Sequence, residues 1–262
     1  MTLFGFEKPI IGMIHVNALP GTPKYNGDVK QIIKRSLREA ETYIDNFIPV
    51  LMIENMHDTP YLNRNVGPEI TSILSIILYE IKQKFNVPIG IQILAGANKE
   101  AIASAYCSGS DFIRAEGFVF SHIADEGMFN SDAGELLRYR KQINAENIKI
   151  FTDIKKKHSS HAITKDVDIT ETAKAAEFFM SDGVIITGGS TGKEPNLEEI
   201  ISVKNSVALP VLAGSGITAT NIKTYKQYCD AFIIGSYFKK EGYWQNDLDE
   251  NRIKEFLKNY NS

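Results

Sequence analysis

Three scarcities narrow the class of this chain. Cysteine is nearly missing: Cys107 and Cys229 are the only two in 262 residues. They match no metal-ligand spacing and are too few for a disulfide framework, so both are expected to be small buried apolar side chains near helix ends. Long apolar runs are missing too. The longest, Ile73 to Leu78, is interrupted by Ser75 and falls far short of the roughly 20 residues that cross a bilayer. Neither sign of charge dominates, with 29 basic and 32 acidic residues and a net charge of −3. That balance, without any long basic run, argues against nucleic acid as the main partner. The opening string Phe4-Gly5-Phe6-Glu7-Lys8-Pro9 breaks up any charged-apolar-small leader pattern. What remains, at 43% hydrophobic residues, is the composition of a globular protein. The expectation is a cytoplasmic protein that is not embedded in a membrane.

Short β-branched runs alternate with amphipathic segments along the whole length. The runs are Ile10–Ile14, Val50–Ile53, Pro88–Leu94, Asp111–Ala115, Ile148–Ile154, Gly183–Thr187, Pro210–Ala213 and Ala231–Ile234. Between them, Ile70, Ile73, Leu74, Ile77, Leu78 and Ile81 keep helical spacing behind Pro68 at the first turn. Ile32, Ile33, Leu37, Ala40 and Ile44 follow Asp28 as N-cap, and Ile253, Phe256, Leu257 and Tyr260 follow Asp249. Eight strand–helix units over this length predict a (β/α)8 TIM barrel, with an open doubly wound sheet as the competing arrangement. No composition shift or linker marks a boundary, so residues 1–262 are read as one barrel domain.

A barrel strand shows one face to the helices, where apolar residues are required, and the other to the interior. This parity turns Met52 and Glu54, Gly90 and Gln92, Phe112, Arg114 and Glu116, and Phe151, Asp153 and Lys155 inward. His15 closes the first strand and Thr187 the sixth. Such polarity is costly to bury unless the groups pair with one another, for instance Arg114 with Glu54 and Lys155 with Asp153, or meet a ligand. Active sites of the fold lie at this C-terminal face. Asp153, Lys155, Glu54, His15 and Arg114 are therefore the candidate catalytic residues, with Gln92 and Asn55 as candidate ligand contacts.

Two late strands run into glycine loops, Gly214-Ser215-Gly216 before a helix and Gly235-Ser236. Glycine lets the backbone approach an anion, and the loops after strands seven and eight commonly hold phosphate in this fold. The string Gly188-Gly189-Ser190-Thr191-Gly192-Lys193-Glu194 is not a P-loop, because Thr187 stands where its first glycine belongs and Glu194 follows the lysine. It reads as a substrate-covering loop with Gly188, Gly189 and Lys193 as anion contacts, or as a solvated turn. After the fifth strand, His158 together with Asp153 offers a site for a divalent metal, and His158 alone a general acid or base. Trp244 reads as a ligand cap or an interface residue.

These groups suit an enzyme acting on a small phosphorylated metabolite, a sugar phosphate or nucleotide-derived compound, by acid/base isomerase, epimerase or aldolase-type chemistry. Metal-dependent hydrolysis of a phosphate ester or glycosidic bond is the alternative, and homo-oligomerisation is left open. The strings Ile11-Gly12-Met13-Ile14-His15 with Leu19-Pro20-Gly21, Ile53-Glu54-Asn55, Lys157-His158-Ser159, Thr187-Gly188 with Thr191-Gly192, and Ala213-Gly214-Ser215-Gly216 together resemble the BtpA family. The resemblance extends over nearly the whole chain and implies a barrel related to ribulose-phosphate-binding barrels. It implies no reaction. Because the family takes its name from a photosystem biogenesis factor, it also admits a non-enzymatic assembly factor or ligand-responsive binding module.

Overall fold

The structure, a computed structural model, describes residues 2–189 and 192–262. Eight parallel strands close into a barrel: β1 (Ile10–His15), β2 (Val50–Glu54), β3 (Ile89–Gln92), β4 (Phe112–Ala115), β5 (Lys149–Asp153), β6 (Gly183–Thr187), β7 (Val211–Gly214) and β8 (Ala231–Ile234). Each strand pairs with its sequence neighbours, and β8 pairs with β1 through Ile233 and Ile11. The closed ring settles the choice between the two arrangements in favour of the TIM barrel. Helices α1 (Val29–Asp45), α2 (Pro68–Phe85), α3 (Asn98–Ser108), α4 (Ala133–Gln142), α5 (Ile169–Phe178), α6 (Leu197–Ser206), α7 (Ile222–Tyr225) and α8 (Glu250–Asn261) follow the strands in order.

Local chemistry sets the helix starts. Asp28 accepts a hydrogen bond from the Gln31 backbone N–H at 2.9 Å, and Asp249 accepts one from Asn251 at 3.0 Å. Pro68 occupies the first turn of α2, whose residues Ile70, Ile73, Leu74, Ile77, Leu78 and Ile81 are all buried.

The strands divide the core as their parity predicts. Leu51, Ile53, Ile91, Ile113 and Ile150 pack outward under the helices. Met13, Met52, Phe112, Phe151, Ile185 and Leu212 fill the barrel. Gly90 is required by this filling: a Cβ there would lie 2.3 Å from the Phe112 ring. A hairpin of Thr2–Leu3 and Phe6–Glu7 plugs the N-terminal end, setting Phe4 5.0 Å from Phe112.

A second small sheet lies over the other end. Strands His122–Ala124, Gly127–Phe129 and Ser159–Ser160 join the loops that follow β4 and β5. His122 stacks on Phe129 at 5.3 Å, and Lys156 Nζ lies 5.0 Å above the same ring. The cysteines differ from each other. Cys229 is buried as expected, whereas Cys107, near the end of α3, is exposed. No helix among the described residues is long and apolar enough to cross a membrane.

Candidate active site

The polar residues of inward parity meet at the C-terminal mouth, and the register of neighbouring strands decides which ones pair. Arg114 on β4 stands beside Phe151 on β5. Its guanidinium therefore reaches Asp153, two residues further along the strand, in a bidentate ion pair at 2.8 and 2.9 Å. This replaces the expected pairing of Arg114 with Glu54. Burial alone would lower the arginine pKa, but Asp153, with Glu54 and Glu116 nearby, raises it and holds the cation fixed. Lys156 pairs with Glu116 at 3.3 Å.

Lys155 is the main departure from the inward-parity reading. Alternation ends with β5 at Asp153, and Lys155 takes a left-handed φ of 48°. Its Nζ donates to the Thr164 carbonyl at 3.1 Å, outside the mouth, so it does not pair with Asp153. The inward position falls to Lys157. Burial and the Arg114 charge lower its pKa, opposed by Glu54, Asp153 and Glu116. Lys157 stands four residues past the end of β5, where no period-2 signal remains, which is why parity alone misses it.

His15 and Glu54 lie side by side on β1 and β2, with Nε2 3.9 Å from Oε2. The Trp244 carbonyl accepts a hydrogen bond from His15 Nδ1–H at 3.1 Å. That tautomer leaves the Nε2 lone pair facing the carboxyl group. Burial holds His15 well below the usual imidazole range, with Lys239 adding to the effect, so the ring is neutral at pH 7. Burial raises the Glu54 pKa, although Arg114 and Lys157 pull it back. A carboxyl group moved toward neutrality beside a neutral imidazole is suited to taking and returning a proton.

Two adjoining cavities contain these groups. One, of about 240 Å³, is lined by Glu54, Gln92, Arg114, Glu116, Lys157 and Trp244 among others. A narrower one, of about 40 Å³, shares Glu54, Arg114 and Lys157 with it and adds His15, Ser215, Gly235 and Ser236. Beyond lies a third, of about 200 Å³, where Ser215, Gly216, Gly235 and Ser236 meet Arg252 and Tyr237. The backbone of the two glycine loops thus opens into the charged mouth.

Neither loop starts a long helix. After Gly235 comes a single 3-10 turn, Ser236–Phe238, and α7 begins only at Ile222. Arg252 supplies a positive charge that the glycine signal did not reveal. It belongs to α8 and is held by the Tyr237 carbonyl at 2.6 Å, with its guanidinium 4.4 Å from the Tyr237 ring.

Other candidates lie elsewhere. The Asn55 amide is occupied by Asp58 and by the Leu94 backbone, whose N–H it accepts at 2.7 Å. Gly214 packs 3.0 Å, at its missing Cβ, from Ile185. Gly188 and Gly189 line a separate cavity of about 820 Å³ with Lys155 and Thr187, between the loops after β5 and β6. Lys193 is exposed, and its carbonyl packs against Gly188. Ser190 and Thr191 lie outside the described residues. His158 lines the 240 Å³ cavity, but Asp153 is committed to Arg114. No group of three or more His, Cys, Asp or Glu side chains with metal-binding geometry occurs among the described residues. Among the described residues His158 and Asp153 are therefore joined by no third such donor.

A closed parallel barrel flanked by helices, with polar groups gathered at its C-terminal mouth, is a (β/α)8 TIM barrel. The family model "BtpA family" matches residues 6–262, and the chain belongs to the BtpA family. It is 48% identical to an uncharacterized mitochondrial protein of Caenorhabditis elegans, over 99% of this chain and 96% of that one. The photosystem I biogenesis protein BtpA of Synechocystis is 29% identical, over 97% of this chain and 88% of that one. Among solved structures, a similar fold is that of (S)-3-O-geranylgeranylglyceryl phosphate synthase from Thermoplasma acidophilum, in complex with sn-glycerol-1-phosphate. Its TM-score is 0.62 at 14% identity, with 99% of this chain and 98% of that one covered.

Proposed function

We propose that this protein is an enzyme acting on a small phosphorylated metabolite by acid/base chemistry, of the isomerase, epimerase or aldolase type. One observation carries the reading: the cavity that holds His15, Glu54, Arg114 and Lys157 is also lined by Ser215, Gly235 and Ser236. A phosphate on those loops accepts hydrogen bonds from backbone N–H groups, with Arg252 as a countercharge. Its reacting carbons then extend over Glu54.

Glu54 removes a proton next to a carbonyl, and the C–H electron pair moves onto the carbonyl oxygen to give an enolate. Lys157 and Arg114 hold that oxygen electrostatically. Return of the proton to the former carbonyl carbon, with the hydroxyl proton of the enediolate passing to the former carbonyl oxygen, completes isomerisation; its return to the original carbon from the other face completes epimerisation. Asp153 fixes Arg114 and takes no proton itself. The phosphate-bearing ligand of the Thermoplasma synthase is compatible with a phosphorylated substrate for this barrel.

The test is deuterium wash-in from D2O into a panel of ketose and aldose phosphates, read by mass spectrometry. Glu54→Gln is expected to slow exchange by roughly 10²–10⁴-fold. Stabilisation by inorganic phosphate should persist, at about 2.7 kcal/mol for 100 times the dissociation constant. Exchange at the wild-type rate in Glu54→Gln, or no stabilisation by any phosphate, would overturn the proposal.

A further inference from the structure

The 240 Å³ cavity holds more than proton transfer requires. Three of its buried oxygens have no hydrogen-bond partner among the described residues: Gln92 Oε1, Glu116 Oε2 and Glu126 Oε2. Gln92 is 2% exposed and Glu116 6%. Lys156 occupies only Oε1 of Glu116, which leaves the second oxygen to the cavity. A buried acceptor without a donor costs about 1–3 kcal/mol, so three in one cavity call for donors that the described residues do not supply.

The same cavity also has apolar and aromatic lining. Trp244 and Tyr61 line it, and both are fixed. Tyr61 donates its hydroxyl hydrogen to the Met56 carbonyl at 2.7 Å, and the Trp244 ring lies 4.9 Å from that of His57. Aromatic rings and an acceptor array in one cavity favour a planar ring carrying N–H groups. The narrow cavity between this pocket and the glycine loops leaves room for a linker of sugar size, and the whole groove falls within the roughly 300–1,000 Å³ of small-molecule sites.

We propose that the substrate is a pentose phosphate that carries, through nitrogen, a planar ring with amino or imino N–H groups and keeps an open-chain carbonyl for the Glu54 step; the ring packs on Trp244 and Tyr61 and donates to Gln92, Glu116 and Glu126. The inference rests on the phosphate reading of the glycine loops and names what lies at the far end. An unsubstituted sugar phosphate leaves the aromatic wall bare and the acceptors unmet.

Trp244 is the only tryptophan in the chain, so its emission reports occupancy directly. Fluorescence titrations are run with inorganic phosphate, ribose 5-phosphate, adenosine 5′-monophosphate and adenosine. Binding of adenosine monophosphate is expected to change the emission and to be at least ten times tighter than ribose 5-phosphate. Glu116→Gln and Tyr61→Leu should each remove most of that advantage while ribose 5-phosphate binds as before, measured calorimetrically. If ribose 5-phosphate and adenosine monophosphate bind equally, the ring pocket is refuted and the phosphate site stands. If neither they nor phosphate bind while adenosine does, the phosphate site is refuted. Equal affinity of wild type and both variants for adenosine monophosphate overturns the assignment of these residues.

Discussion

The Arg114–Asp153 pair gives a sharp test of how charge is organised in the mouth. Its side chains are 8% and 1% exposed, and both hydrogen bonds are short. Around it, Glu54, Glu116 and Asp153 face Arg114, Lys156 and Lys157, so the acidic and basic groups are matched in number. Arg114→Met leaves Asp153 buried without its cation among two further carboxylates. Breaking one side of a buried pair costs about 3–5 kcal/mol, a large part of the 5–15 kcal/mol typical of a whole domain. Asp153→Leu leaves Arg114 facing Glu54 and Glu116, which offset part of the loss, so it belongs at the lower end of that range. The double variant keeps the charges matched and replaces the pair by apolar volume. It should lie within about 1 kcal/mol of wild type. The assay is urea unfolding followed by circular dichroism, accepted only where the slope m is unchanged. With each single loss at about 3 kcal/mol or more and the double variant within about 1 kcal/mol, the expected coupling is about 5 kcal/mol or more, with Arg114→Met the worse single change. Additive losses, or an Arg114→Met variant within about 1 kcal/mol of wild type, would refute the reasoning.

Two further predictions concern the ends of the groove. Burial lowers His57 and His122 to about 4 and raises Asp58 and Asp132 to about 6. Between those values the histidines bind fewer protons in the folded state, which raises stability with pH, and the aspartates bind more, which lowers it. Asp58→Asn keeps the acceptor for the Leu19 N–H and removes one falling contribution. Its stability measured at pH 4, 5 and 6 should therefore climb more steeply than that of wild type, and parallel curves would reject the assignment. At the other end, Gly216 has a φ of +66°, and a Cβ there would lie 2.2 Å from the backbone of Lys193 and Glu194. Gly216→Ala should cost about 1–3 kcal/mol in thermal unfolding and weaken stabilisation by inorganic phosphate; a variant with wild-type phosphate response would separate this loop from the anion site.

Legibility in the sequence followed the range of the physical rule involved. Alternation is a nearest-neighbour property, and it placed Met52, Phe112 and Phe151 inside the barrel and Leu51, Ile113 and Ile150 outside it. Capping is equally local, hence the agreement at Asp28 and Asp249. Pairing across the mouth depends on register between strands, about which one strand's sequence says nothing. Arg114 therefore met Asp153 instead of Glu54. Where the strand ends, parity ends with it, and the left-handed turn at Lys155 exchanged one lysine for another two residues on. Asn55 shows a third limit: its residue type suits a ligand, but its amide is taken by a backbone 39 residues away. Arg252 reaches the glycine loops from α8, so only the closed barrel brings it into view. Composition at a strand end thus marks where polar groups gather, while register and chain reversal decide which ones cancel. The groups left uncancelled, Glu54 beside a neutral His15 and the acceptor oxygens of Gln92 and Glu116, are the ones the proposed substrate would answer.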